Sequence, residues 1–252
     1  MEYIASLSYG KDSIYMLELI HKNNLPLDRI VHSKIKATKD IEADADEMVS
    51  FKAKANKIIF EKYGIEVESL EAPMTYEEGF YLKRTKRARP QNRGKIYGFP
   101  MVRGAWCNSR LKLSVLNQFK KDCYKQYIGY AIDEKSSKRQ KKIQSYKDGD
   151  LNNNEMYPMV DFGATENEAA LWCAQNNLLS PIYEESARGG CWFCHYQSLA
   201  QLRILRNSSP EKWELMLKWD NDSPVTFKPN GVTLHDLDTR FMYEELQISL
   251  FD

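Results

Sequence analysis

The chain has 252 residues, 42% of them hydrophobic, and a formal net charge of +1. That length allows one large domain, or a core domain with a smaller appendage, and it can bury a sizeable core. No apolar run approaches the roughly 20 residues a membrane helix needs, the near-zero charge excludes a global field drawing the chain to nucleic acid, and the opening Met-Glu-Tyr-Ile-Ala lacks a basic leader segment, so a cytoplasmic protein is expected.

Tyr3 to Leu7 reads as a short buried strand, Ser8 to Ser13 as a turn, and Ile14 to Lys22 as a helix with Ile14, Leu17 and Ile20 at helical spacing. Arg29 to Ile35 is a second strand. Ala45 to Tyr63 is a long helix whose Met48, Phe51, Ala55, Ile58 and Ile59 share a stripe, and Ile65 to Leu70 is a third strand. This alternation predicts an α/β fold, a doubly wound parallel sheet with crossover helices. Residues 75 to 104, rich in charge, Gly and Pro, read as a long loop above the sheet. Ser109 to Cys123 reads as helix and Gln126 to Ile132 as a fourth strand, running into Asp133-Glu134. Residues 135 to 156 are polar and read as a mobile segment. Thr165, followed three residues on by Glu168, caps a helix to Asn176. Beyond Ser208 the pattern is mixed, with a helix at Glu211 to Lys218.

A strand that ends in a Gly-containing turn and passes straight into a helix is a phosphate site in physical terms. The helix start offers amide N–H groups and the positive end of the dipole. In Ser8-Tyr9-Gly10-Lys11-Asp12-Ser13, Gly10 permits close backbone approach, Ser8 and Ser13 supply hydroxyls, and Lys11 adds a charge. Asp12 is the nearest candidate to hold Mg²⁺, or else a carboxylate placed to favour the helix start. Asp133, with Glu134, ends a strand where doubly wound sheets place ligands. Arg103 and Arg110 either contact phosphate or pair with local acids.

The five cysteines are 107, 123, 173, 191 and 194. An odd number without an export signal argues against a disulfide framework and for metal or thiol chemistry. Gly190-Cys191-Trp192-Phe193-Cys194-His195 carries C-x-x-C, the spacing of a metal grip or of a redox pair. Cys107 opens a helix, whereas Cys123 and Cys173 lie within helical patterns and read as core. Two acid-free basic runs, Lys83 to Lys95 and Lys135 to Lys142, are either solvated loops or contacts for the phosphates of a nucleotide or nucleic acid.

The loop resembles the S-G-G-x-D-S loop of the PP-loop ATP pyrophosphatase superfamily, with Tyr9 in place of the first Gly. Cys107 within Trp106-Cys107-Asn108-Ser109-Arg110, and Cys191 and Cys194, resemble three of the four cluster ligands in the phosphoadenosine phosphosulfate (PAPS) reductase-like branch. Trp106 stands where the fourth cysteine would be. Tyr127-Ile128-Gly129-Tyr130-Ala131-Ile132-Asp133-Glu134 and Leu179-Ser180-Pro181-Ile182-Tyr183 also fit that branch. The likeness runs over residues 3 to 200 and looks closest to small members carried by phages and mobile elements.

The resemblance implies an adenine nucleotide alpha hydrolase-like fold. Residues 1 to 185 would form the nucleotide-binding domain, and 186 to 252 a mainly helical extension carrying the C-x-x-C. It implies ATP, PAPS or adenylylsulfate (APS) bound by Ser8, Tyr9, Gly10, Lys11, Asp12, Ser13, Arg103, Gly129 and Asp133, with Lys11 and Asp12 catalytic. It also implies a 4Fe–4S cluster or zinc on Cys107, Cys191 and Cys194. His195 would complete a Cys3His zinc site, or the cluster would keep a fourth iron without a cysteine. True reductases of the branch use a tail cysteine, and no cysteine follows Cys194 here. Cleavage at the α-phosphate of ATP, to activate or thiolate an acceptor, therefore ranks ahead of sulfonucleotide reduction with a thiol supplied from elsewhere. A non-enzymatic nucleotide module with structural zinc ranks third. Nucleic acid or a sulfur-donor protein are the implied partners, with no membrane.

Overall fold

The computed structural model describes residues 1–85, 88–100, 105–119, 124–149, 154–185 and 190–249. The elements run β1 (Glu2–Ser6), α1 (Lys11–Lys22), β2 (Arg29–Lys34), α2 (Asp46–Tyr63), β3 (Val67–Glu71) and α3 (Tyr76–Tyr81). A π-helical turn at Asn108–Leu113 leads into the one-turn α4 (Ser114–Leu116), then β4 (Tyr124–Tyr127), α5 (Ser137–Lys147), β5 (Glu155–Met156) and the one-turn α6 (Pro158–Asp161). The chain continues as α7 (Glu166–Gln175), α8 (Ile182–Glu185), α9 (Leu199–Ser208), α10 (Pro210–Asp222) and α11 (Leu234–Ser249). Among the described residues, no helix is long and apolar enough to cross a membrane.

The chain divides into two compact units. The first takes Met1–Lys34, Ala45–Glu71 and Ser114–Gly189; the second takes Ile35–Asp44, Ala72–Leu113 and Gly190–Asp252.

The first unit is α/β. Its five strands are all parallel, in the order β3-β2-β1-β4-β5. Parallel neighbours need crossover connections, which α1 and α2 supply. Ile14, Met16, Leu17, Leu19 and Ile20 of α1 are buried, with Met48, Phe51, Ala55 and Ile59 of α2 and Ala169 and Cys173 of α7. The stripe on α2 read from its periodicity is therefore the buried one. Cys173 is core as expected; Cys123 lies outside the described residues.

Strand order reverses between β1 and β4, so the segments leaving their C-terminal ends open into one crevice, the usual ligand position of such sheets. Gly129, two residues past β4, sits against the start of α1. A Cβ there would meet the backbone of Asp12 and the Cα of Ser13 at 2.8 Å.

Several sequence expectations change. Residues 135 to 156, read as a polar stretch without elements, hold α5 and β5, with 150–153 outside the described residues. Straight-chain Lys, Arg and Gln favour helix intrinsically, and α5 buries only Ile143, so no apolar period announces it. The stretch from 75 is not all loop. Thr75 and Glu78 form a reciprocal capping box that starts α3, the same signal that starts α7 at Thr165 and Glu168. The helix expected at Ser109 to Cys123 is broken into the π-helical turn, α4 and a 3-10 turn at Asn117–Phe119. β4 ends at Tyr127, because Ile128 and Tyr130 leave the sheet to pack with Ile143, Tyr157 and Val160. The helix expected at Glu211 to Lys218 is α10, and α9 and α11 flank it.

The second unit is built round aromatic residues: Tyr76, Phe80, Phe99, Trp106, Trp192, Phe193, Trp213, Trp219, Phe227 and Phe241 are all buried in one cluster. Trp106 donates to the Gly98 carbonyl at 3.0 Å and Trp192 to that of Glu42 at 2.8 Å, so these indoles lose no hydrogen bond on burial.

Gly129→Ala sets a methyl against backbone that cannot rotate away. It should cost about 1–3 kcal/mol of stability by overpacking, read as a lower urea midpoint with an unchanged m-value.

Candidate functional site

The Ser8–Ser13 loop leaves β1 and enters α1. The Ser8 amide donates to Ser13 Oγ at 3.1 Å, the two hydroxyls lie 3.0 Å apart, and Ser13 Oγ donates to the Gly10 carbonyl at 2.9 Å. The loop is thus folded on its own serines. Tyr9 has φ of 57°, in the left-handed region a glycine would occupy without strain. Its ring is 1% exposed, and its hydroxyl donates to Asn56 Oδ1 of α2 at 2.5 Å. His32 meets the ring edge-on at 4.7 Å, and the Lys52 ammonium lies 5.1 Å from its centroid. Tyr9 therefore anchors the loop to α2. His32 Nδ1 lies 3.0 Å from the Leu7 carbonyl and its Nε2 3.0 Å from Lys52 Nζ. A carbonyl only accepts and an ammonium only donates, which assigns the proton of a neutral ring to Nδ1.

Lys11 Nζ bonds Asp12 Oδ1 at 2.8 Å and Glu166 Oε2 at 3.1 Å. Burial alone would lower this ammonium; the hydrogen bonds and charges of Asp12 and Glu166 outweigh it and hold Lys11 above its ordinary value. Burial pushes Asp12 above the usual carboxylate range against the pull of Lys11, and the charges of Glu166 and Glu134 add to the rise. A proton on Asp12 would relieve its repulsion with Glu166 and Glu134.

The segment after β4 closes the other side. Asp133 Oδ1 accepts from the Glu166 amide at 2.9 Å, which ties this segment to the start of α7. Glu134 is buried; its carboxylate accepts from the Ser136 amide at 2.9 Å and from Arg139 at 2.7 Å. Burial opposes its charge, but those partners win and hold Glu134 below the ordinary carboxylate value. Tyr183 of α8, whose segment the sequence singled out without assigning it a role, accepts from the Lys11 amide at 3.2 Å, and burial raises its phenol. A Cβ on Gly10 would lie 3.3 Å from the Tyr183 hydroxyl.

The structure thus brings together Ser8, Tyr9, Gly10, Lys11, Asp12, Ser13, Gly129 and Asp133. Sequence reasoning missed Glu166, which lies far along the chain from the loop and carries no motif, and gave Tyr183 no role although it flagged its segment. Arg103 lies outside the described residues. Arg110 belongs to the second unit, where its guanidinium stacks 4.7 Å from the Tyr97 centroid and donates to the Tyr97 hydroxyl at 2.9 Å.

Cys107, Cys191 and Cys194 all fall in the second unit. The Cys194 amide donates to the Cys191 carbonyl at 3.0 Å, closing a tight turn, and Gln197 bonds back to that carbonyl at 3.0 Å. Lys228 straps the segment from below, donating to the carbonyls of His195 at 2.7 Å and Gln197 at 2.6 Å. His195 is buried against Tyr196, ring centroids 4.0 Å apart. Burial pushes the Cys107 thiol up to about 11 and the Cys191 thiol up to about 12, with the neighbouring cysteines adding to both. Lys112 pulls the other way at both, and the Asn108 amide does so at Cys107. As placed, no three His, Cys, Asp or Glu side chains among the described residues converge tightly enough to grip one metal ion.

The donor set nonetheless suits a soft metal or an iron–sulfur cluster. Cys107 and Cys191 pack on the aromatic core, Cys194 lies close enough to act on both electrostatically, and Lys112 and the Asn108 amide favour thiolates there. The buried hydroxyl of Tyr76, on which all three thiols act, has no hydrogen-bond partner among the described residues.

No family model and no curated protein matches the chain. Among solved structures it is similar to the U34-tRNA thiolase NcsA from Methanococcus maripaludis with its [4Fe-4S] cluster. Identity is 16%, over 88% of this chain and 71% of that one, with a TM-score of 0.39. At that identity and score the likeness carries no argument about activity.

Glu134→Gln tests the electrostatics of the crevice. The Glu134 pKa is lower folded than unfolded, so its stabilisation is complete above the unfolded value of about 4.3 and is lost as pH falls through the folded value. The variant should lose about 1–3 kcal/mol near neutrality and show a flatter acid limb in urea melts between pH 3 and 6.

Proposed function

We propose that this chain is a PP-loop enzyme of the PAPS reductase-like branch. It binds an adenine nucleotide at Ser8–Ser13, with the phosphates over the start of α1, and cleaves at the α-phosphate to activate or thiolate an acceptor. The observation that carries this reading is the loop itself. It leaves the central strand at the switch point, is pre-folded by its two serines, and holds a half-buried lysine on two carboxylates.

The phosphates of a nucleotide would take over the role that Asp12 and Glu166 play for Lys11. Lys11 then neutralises charge that builds on the phosphates as the bond to the α-phosphorus changes hands. Asp12, freed from Lys11 and crowded by Glu166 and Glu134, is the carboxylate to hold Mg²⁺. The acceptor oxygen attacks the α-phosphorus and pyrophosphate leaves; a second nucleophile, sulfur in a thiolation, then displaces AMP. The Gly10 and Asp12 amides at the helix start hold phosphate oxygens, beside the Lys11 amide that Tyr183 takes. Gly129 keeps the β4 segment close enough to the loop to line the same crevice. Cys107, Cys191 and Cys194 would hold the metal centre, which when bound supplies sulfur-transfer or redox chemistry.

The acceptor class in this reading is a polynucleotide. Lys135, Lys138, Arg139, Lys141 and Lys142 are all exposed at the start of α5, the segment that follows the crevice residues Asp133 and Glu134. Of these, Arg139 is held by Glu134 and Lys142 by Glu155.

Incubation with ATP, Mg²⁺ and bulk RNA should yield AMP and pyrophosphate; ADP and phosphate instead would sink α-phosphate cleavage. Lys11→Ala should weaken nucleotide binding by roughly 10- to 100-fold in a calorimetric titration, with the fold intact by circular dichroism. Serine at any one of Cys107, Cys191 or Cys194 should cut the iron or zinc content of anaerobically purified protein.

A further inference from the structure

Tyr76 opens α3, on the turn set by the Thr75–Glu78 capping box. Its ring is 1% exposed. It packs against Trp106 at 5.1 Å and Phe193 at 4.0 Å between ring centroids, and against Trp219 at 5.2 Å. Two of these neighbours belong to the cysteine segments: Trp106 precedes Cys107, and Phe193 lies between Cys191 and Cys194. The packing therefore holds the Tyr76 ring against both cysteine segments at once, and each of the three thiols acts on its phenol electrostatically. Its hydroxyl is shut away from water and has no hydrogen-bond partner among the described residues, the thiols included. The four aromatic rings packed on it place every polar atom: Trp106 on Gly98 and Trp219 on Glu77, with Phe80 and Phe193 having none to place.

An orphaned hydroxyl in an aromatic core is destabilising, and phenylalanine would fill the same space without it. A phenol that only donates to something absent from the apoprotein resolves the discrepancy. Sulfur bound to iron carries negative charge and accepts hydrogen bonds, which stabilise the reduced, more negative state of a cluster and raise its potential.

We propose that Tyr76 is a positioning residue of the cysteine site, whose hydroxyl donates a hydrogen bond to a sulfur atom of an iron–sulfur cluster held by Cys107, Cys191 and Cys194. This rests on the cysteine-site reading given above. The bond forms as the cluster is loaded: the proton stays on the phenol oxygen and no electron moves.

The test compares wild type with Tyr76→Phe, using Tyr81→Phe in the same helix as a control, since the Tyr81 hydroxyl bonds Asp222 at 2.6 Å away from the cysteine segments. Iron-free Tyr76→Phe should be at least as stable to urea as the iron-free wild type. After anaerobic reconstitution with ferrous iron and sulfide, it should show a lower midpoint potential and lose iron to a chelator about tenfold faster; Tyr81→Phe should match wild type in both. Equal potentials and equal iron loss in wild type and Tyr76→Phe would overturn the proposal. So would a Tyr76→Phe chain that does not fold, since the hydroxyl would then have a structural partner. A visible phenolate-to-iron band present only in wild type would overturn it in favour of direct ligation. Failure of folded wild type to take up iron and sulfide would overturn the cysteine-site reading together with this inference, and is distinguished by the absence of any cluster spectrum.

Discussion

The close approach of Gly129 to the first turn of α1 is the constraint on which the crevice depends. β1 and β4 are neighbours in the sheet but distant in the chain, and the segments leaving them must share one narrow space. With backbone atoms 2.8 Å from where a side chain would start, only glycine allows it. That contact sets where Asp133 meets the Glu166 amide, which brings α7 and its Glu166 carboxylate to Lys11. The charge arrangement at the loop therefore follows from backbone packing and not from the loop sequence alone.

Within that frame the loop is organised before any phosphate arrives. Ser8 and Ser13 close it, and Tyr9 pins it to α2 through Asn56. Holding a tyrosine at positive φ costs on the order of 1 kcal/mol, offset here by full burial of a large ring. A glycine at the same position would relieve the strain and lose the anchor. Lys11 shows the complementary economy of charge: a half-buried ammonium keeps its proton because two carboxylates share it, and those carboxylates are the groups an incoming phosphate would replace.

Much of the sheet unit was legible because its first three strands and two helices follow simple periods. Tyr3 to Leu7 and Arg29 to Ile35 differ from the strands by a residue or so, and the buried stripe of α2 was read directly. α5 was not legible, because a helix that buries one residue has no apolar period to read. α3 was missed although Thr75 and Glu78 carried the same capping signal that located α7; the surrounding charge and glycine hid it. At the site, the loop after β1 was legible as a local pattern. Glu166, Tyr183 and the inward turn of Tyr9 were not, because each depends on which distant segments the sheet order brings together. Tyr76 carried no signal at all: its interest lies in a missing hydrogen bond, which a sequence does not record.

The second unit is assembled from three separated stretches, and its aromatic core needs all of them: Ile35 and Ala37 from the first, Phe80 and Trp106 from the second, Trp192 and Trp219 from the third. Its core therefore needs contacts between stretches far apart in the chain, the kind that form slowly. On the ribosome, the stretch bearing Cys107 emerges well before the partners that bury Trp106, Phe80 and Phe99. Until residues 190 onward follow, that nascent segment exposes tryptophan and phenylalanine to solvent, and in this interval the chain is most open to chaperones and to aggregation.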